Sequence, residues 1–118
     1  MESISILDSP GMTRDLIKNA ENEDFKDMKR YESDTESVYE IYFSKTALEG
    51  LKQLEKLNLI NQARDLLELI QKDPFAQPPQ YNKLVGNLDG FYSRRINIHH
   101  RLIYKVYEEE KKIKVLQL

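Results

Sequence analysis

The sequence contains no cysteine, no tryptophan and only two histidines among its 118 residues. Without cysteine there is no disulfide scaffold, no zinc ribbon and no thiol nucleophile. The two histidines are adjacent, His99 and His100, and leave very little from which to build a catalytic metal site. No metal or cofactor is therefore expected. No apolar run approaches the roughly 20 residues that span a bilayer, so no membrane partner is expected either. The opening MESISILDSPG lacks the basic start and apolar stretch of a signal peptide, and the expected compartment is the cytoplasm. Glycine and proline are scarce, four of each, and three of the prolines and two of the glycines fall within residues 74–90.

What remains is a globular balance, with 40% hydrophobic and 32% charged residues, at a length that suits one domain. The net charge of −2 hides an asymmetry. Residues 1–38 carry five basic and ten acidic side chains, whereas residues 39–118 carry thirteen and ten. Within 78–107 the bases Lys83, Arg94, Arg95, Arg101 and Lys105 face the single acid Asp89. An acidic segment joined to a basic domain is either a solvated tail or an internal partner for the basic surface.

Along the chain, ESISIL alternates polar and apolar as a short strand does. Ser9-Pro10 reads as a helix start, followed by Met12, Leu16 and Ala20 on one stripe with Ile17 beside it. The polar run to Ser37, anchored only by Phe25, Met28 and Tyr31, reads as a partly ordered connector. Val38–Phe43 is rich in β-branched and aromatic residues and predicts a strand. Ser44 then caps a helix carrying Ala47, Leu51 and Leu54. A break near Asn58 separates it from a second helix through Leu59, Ala63, Leu66, Leu67 and Ile70, which must stop at Asp73-Pro74. Residues 74–90 read as a long loop, and 91–98, 101–107 and 112–118 as strands. The order strand, two helices, three strands predicts an α+β domain with two helices packed on an antiparallel sheet.

Period two along β-strand 101–107 puts Arg101, Ile103 and Lys105 on one face and Leu102, Tyr104 and Val106 on the other. A cationic sheet face with aromatics nearby is a footprint for RNA, although an ordinary solvated face can look the same. Arg94 and Arg95 point to opposite faces, so one of them should be structural and paired with a helix carboxylate such as Glu68 or Asp65. His99-His100 reads as a hairpin tip, Tyr81 and Tyr92 as packing at the loop base, and Gly86 and Gly90 as turn residues.

The strings IYFSKTALEGLKQLEK, DPF and PPQYNKLVGNLDGFYSRRINIHHRLIYKVYEEEKKIKVLQL resemble a YoeB/Txe-type toxin of the RelE-like superfamily. The most specific part is the ordered run L-x-G-x-L-x-G-x-Y-S-R-R-I-N-x-x-H-R-L-I-Y. The resemblance implies a RelE-like α+β fold and a ribosome-dependent, metal-independent mRNA endonuclease, the toxin half of a type II toxin–antitoxin module. In that chemistry the 2′-OH attacks the adjacent phosphate, a Glu acts as base, a His as acid, and an Arg stabilises the phosphorane. Carried onto this chain, the Arg is Arg101, with Lys83, Arg94, Arg95 and His100 as RNA-facing or supporting residues. The family reads Tyr-Glu-Lys-Leu where this sequence reads Tyr81-Asn82-Lys83-Leu84, so Asn82 holds the general-base position. An amide cannot take a proton at neutral pH. The family also continues past the equivalent of Leu118 to a His-Tyr. Each proton-transfer group contributes about 10²–10⁴-fold, so an inactive or inhibited form is expected. The alternatives are a non-catalytic antitoxin-binding, autoregulatory module and a general RNA-binding domain.

ESISILDSPGMTRDLIKNAENEDF is similar to the neutralising part of a YefM-type antitoxin. The expected organisation is an antitoxin-like segment at 1–33, a linker at 34–37 and a RelE-like domain at 38–118. The partners implied are mRNA on the ribosome and a YefM-type antitoxin, supplied in cis or by a second chain through residues 2–20. Docking of 2–20 should place its acids near Arg94, Arg95 or Arg101.

Overall fold

Ser44 decides where the first long strand ends and the first long helix begins. Its hydroxyl accepts from the Ala47 amide at 3.0 Å and donates to the Leu116 carbonyl at 3.0 Å. One buried side chain thus caps a helix and ties it to the C-terminal strand. The computed structural model describes residues 3–4, 14–32, 37–84 and 90–118. Strands are β1 (Ser3–Ile4), β2 (Lys29–Arg30), β3 (Glu40–Phe43), β4 (Tyr81–Leu84), β5 (Phe91–Arg95), β6 (Arg101–Tyr107) and β7 (Lys112–Gln117). Helices are α1 (Arg14–Glu21), α2 (Lys45–Lys56) and α3 (Ile60–Lys72).

The helical hairpin forms as its periodicity predicts. Ala47 and Leu54 of α2 are buried, with Leu48 and Leu51 packed beside them. Asn58 takes a left-handed φ of 59°, which reverses the chain, and Asn is among the few residues that adopt this cheaply. Ala63, Leu66, Leu67 and Ile70 then form the buried stripe of α3. That helix stops as Asp73 turns the chain and accepts from the Phe75 amide at 3.0 Å. Gly50 lets α2 approach the C-terminus: a Cβ there would meet the Leu118 carbonyl oxygen at 2.7 Å.

The sheet runs β1-β4-β5-β6-β7-β3-β2. Two features correct the sequence reading. The sheet is mixed rather than antiparallel, because β3 pairs parallel with β7 and β1 parallel with β4. Residues 74–90 are not only loop, since β4 pairs antiparallel with β5 inside that stretch. The connector, expected to be partly ordered, carries a 3-10 turn at Phe25–Asp27 and the strand β2, which pairs antiparallel with β3. Short polar runs can pair with a sheet edge through their backbone alone, which their composition does not reveal. Residues 34–36 of the expected linker at 34–37 and the expected helix start at Ser9-Pro10 lie outside the described residues.

Two cores sit on opposite faces of the sheet. One packs α2 and α3 onto Ile41, Phe43, Leu102, Tyr104, Ile113 and Val115. The other packs Ile17 and Ala20 of α1 onto Leu84, Phe91, Ile103 and Leu116. Adjacent strand residues such as Leu102 and Ile103 point to opposite sides, so both faces are apolar at their centres.

Candidate functional site

Register decides which sequence candidates meet. Asn82 pairs with Ser93, and Arg95 pairs with Arg101. Paired residues of antiparallel strands share a face, so Asn82, Ser93, Arg95 and Arg101 all lie on the α1 side of the sheet. Arg101 donates to the Ser93 hydroxyl at 3.2 Å. Ser93 was not foreseen; its only sequence signal is its place two residues before Arg95 on the same strand. Burial lowers the Arg101 pKa, and the Arg95 charge opposite lowers it further. Among the described residues neither arginine has a carboxylate partner. Two opposed, unneutralised guanidiniums on one sheet face repel each other and favour an anion between or above them.

The remaining candidates are placed differently. Arg94 points to the other face and is fully buried. It donates to the Tyr104 hydroxyl at 3.0 Å and to the carbonyls of Pro79, Pro74 and Ala76 at 2.6, 3.0 and 2.8 Å. Its guanidinium lies 5.1 Å from the Tyr81 ring centroid. The expectation that Arg94 faces RNA is corrected: its donors are spent inside the protein, fixing the 74–79 stretch that leads into β4. It is the structural arginine of the pair, but it binds carbonyls and a phenol, not Glu68 or Asp65. Lys83 pairs with Tyr92 and so lies on the face opposite Asn82 and Arg101. His100 lies at the tip between β5 and β6, where the Asn97 side chain accepts from the His99 and His100 amides and lies 3.0 Å from the His100 ring. That turn holds the histidine ring close to Arg101 in sequence but ties one of its nitrogens to Asn97.

The other end of the same face carries Lys105 and Lys114. They are direct cross-strand partners between β6 and β7. The Lys114 ammonium donates to the carbonyls of Glu21 and Glu23 at 2.7 and 2.6 Å, and Lys105 forms a tight ion pair with the Glu21 carboxylate. Burial lowers the Lys114 pKa, while Glu21 pushes it back up. Phe25 packs edge-on against Tyr42 and Tyr107, 5.0 and 5.4 Å between centroids. Residues 17–25 of the acidic N-terminal segment thus pack on their own chain. Just beyond the expected docking stretch, the Glu21 carboxylate meets Lys105 and the Glu21 and Glu23 carbonyls meet Lys114. The acids of 2–20, expected near the arginines, lie outside the residues whose side chains are described. Lys114 was absent from the sequence candidates, though a lysine inside the apolar run Ile113–Leu116 was the available signal. Among the described residues no three His, Asp or Glu side chains are grouped to hold a metal ion, and no helix is long and apolar enough to cross a membrane.

Residues 43–118 match the family model of the YoeB-like toxin of bacterial type II toxin–antitoxin systems. Toxin YoeB of Synechocystis is 37% identical over 59 residues, half of this chain and 62% of that protein. Toxin YoeB of Mycobacterium bovis is 42% identical over 45 residues, 38% of this chain and 53% of that protein. The chain therefore spans less than two thirds of the length of these relatives. Two solved structures from Staphylococcus aureus are also similar. A YoeB–YefM complex aligns at 34% identity and a TM-score of 0.58, over 67% of this chain and 92% of that one. A YoeB dimer aligns at 32% identity and a TM-score of 0.60, over 69% and 94%. The matched region holds the two long helices and every strand from β4 to β7, and the chain belongs to the YoeB-like toxins of bacterial type II toxin–antitoxin systems.

Proposed function

We propose that residues 38–118 form a toxin domain that engages mRNA on the ribosome through the sheet face of Arg95 and Arg101, and that the chain is held inactive in this form. The observation that carries this reading is the opposed arginine pair, with no acid partner among the described residues and Ser93 bracing Arg101. Phosphate is the anion such a planar, bidentate pair fits best. The family is generally one of endoribonucleases, and its metal-independent chemistry needs a cation at the developing phosphorane, which is the role of Arg101. Arg95 adds charge for the backbone, and His100 sits at the rim as a supporting contact. Asn82 shares the face but supplies an amide where the reaction needs a base. The N-terminal segment acts as the antitoxin-like part, docked in cis, and a YefM-type antitoxin is the partner for which it stands in. A soluble, cytoplasmic setting fits this assignment.

The test is Asn82→Glu in the full chain with α1 displaced by Ala20→Asp at its buried face, expressed alone, with growth and mRNA cleavage as readouts. Restoring a base should raise cleavage by about 10²-fold or more, and Arg101→Ala should abolish the gain. A second reading, a non-catalytic module that only binds antitoxin or ribosome, is favoured by Asn82 itself. It prevails if Asn82→Glu stays silent even when α1 has been displaced.

A further inference from the structure

Lys105 and Lys114 face each other across β6 and β7 on the same sheet side as Arg101. Two ammoniums directly opposed destabilise a sheet unless an anion lies over them. Here that role falls to the C-terminal end of α1. Glu21 gives its carboxylate to Lys105, and the carbonyls of Glu21 and Glu23 receive the Lys114 ammonium. The Glu21 carbonyl is the last of α1, at the electronegative end of the helix, and the Glu23 carbonyl follows in the turn beyond it, so both lysines bind partly or fully negative oxygens. Lys114 is only 6% exposed, which makes this a built site and not a chance surface pair.

The occupant is weakly held by construction. Helix α1 has eight residues, too few to be stable in water by itself, so its helical form depends on docking. When it leaves, Lys105 and Lys114 remain beside the Tyr107 ring, to which each lies at 5.3 Å, and Lys105 stays 5.1 Å from Phe91. Along β6, Lys105 is four residues from Arg101, about 13 Å on the same face. Cations at that spacing with an aromatic ring beside them suit a single-stranded nucleic acid: ammoniums take phosphodiester oxygens and the ring stacks a base.

We propose that Lys105 and Lys114 form a phosphate-binding pair for single-stranded RNA, that the C-terminal end of α1 fills this pair in the closed protein, and that the segment and RNA therefore exclude one another. This rests on the proposed RNA-binding face and extends it to a second cation site under self-inhibition. The Glu21 carboxylate and the two carbonyls are internal stand-ins for phosphate oxygens. The Phe25 ring, 4.8 Å from the Lys114 ammonium, occupies space beside Tyr107 that a base would take.

The experiment measures binding of a fluorescent oligoribonucleotide to the full chain by anisotropy, with amide exchange at residues 17–21 followed in parallel. Glu21→Gln removes the acid while keeping a helix-forming side chain. It should speed exchange in α1 and tighten RNA binding at least fivefold. Ala20→Asp, which expels α1 through its buried apolar side, should give the same gain by a different route. In the Glu21→Gln background, Lys105→Gln should cancel the gain and reduce the slope of log affinity against log salt by about 0.7, one phosphate on a single strand. If α1 loosens in both variants and RNA affinity does not rise, the pair is no phosphate site and the proposal is overturned. If Glu21→Gln leaves α1 exchange unchanged, the lysines are not what holds the segment, and the proposal is equally overturned. Ribosome co-sedimentation separates this from the broader reading. Loosened α1 without RNA gain, in a protein that still sediments with ribosomes, sinks the lysine site alone. RNA gain without any ribosome association keeps the lysine site and sinks the ribosomal role.

Discussion

Arg94 donates its Nε hydrogen to the Tyr104 hydroxyl at 3.0 Å, and Tyr104 passes its own hydrogen to the Pro74 carbonyl at 2.7 Å. The pair links β5 to β6 and both to the segment after α3. Its guanidinium is fully buried, and its bonded partners are a phenol and three carbonyls. Removing it leaves the Pro79 and Ala76 carbonyls without that donor in a part-buried setting. Arg94→Ala should therefore destabilise the protein by about 3 kcal/mol in urea denaturation. Arg94→Lys should recover little, since one ammonium cannot reproduce a planar fork that serves four oxygens. A loss below about 1 kcal/mol for Arg94→Ala would show that the network holds nothing.

Ser44→Ala removes both the α2 cap and the donor to the Leu116 carbonyl. A lost cap costs about 1 kcal/mol, and the buried carbonyl adds a comparable amount, so about 2 kcal/mol is expected. Thermal melting reads this as a Tm several degrees lower, while Ser44→Thr should retain most of the stability.

A buried phenol, Tyr104, and a half-buried one, Tyr107, set an alkaline limit. Burial pushes Tyr104 up to about 12 from 10.0, with Arg94 opposing the rise. Tyr107 is also pushed up to about 12, by burial first and then by the charges of Glu21 and Glu110. A phenol with a raised folded pKa holds its proton more tightly in the folded state. That contribution is intact below the unfolded value and is lost as pH rises from 10.0 to about 12. The urea midpoint should fall across this window, and Tyr107→Phe should make the fall shallower. A flat midpoint there would contradict the assignment.

Arg101→Ala should weaken ribosome association more than Lys111→Ala, because Lys111 lies exposed on the β6–β7 turn. Equal and negligible losses in co-sedimentation would remove Arg101 from the site.

The helical hairpin, its Ser44 start, its Asn58 break and its Asp73 stop were legible because each depends on residues within one turn of the chain. The same holds for β6, whose alternation separated Arg101 and Lys105 from Leu102 and Tyr104. The family was legible as well, through the spaced run from Leu84 to Tyr104. β1, Ser3–Ile4, falls within the alternating ESISIL run, whereas less was legible wherever backbone pairing acts without side-chain pattern, as at β2 and β4.

Sequence by itself determined the local elements and the residue types available for chemistry, because capping, turn conformations and hydrophobic period are short-range effects. It also put Arg94 and Arg95 on opposite faces, since strand period does that wherever the strand ends up. Tertiary structure alone decided which of the two is buried, because that depends on which face receives α2 and α3 and on where the Pro74–Pro79 carbonyls return. It alone brought Ser93 under Arg101 and set Lys105 against Lys114, since register is fixed by strands distant in sequence. And it alone seated the C-terminal end of α1 on those lysines: charge asymmetry predicts that an acidic segment seeks a basic surface, but only the packing of Ile17 and Ala20 on Ile103 and Leu116 determines which cations it reaches.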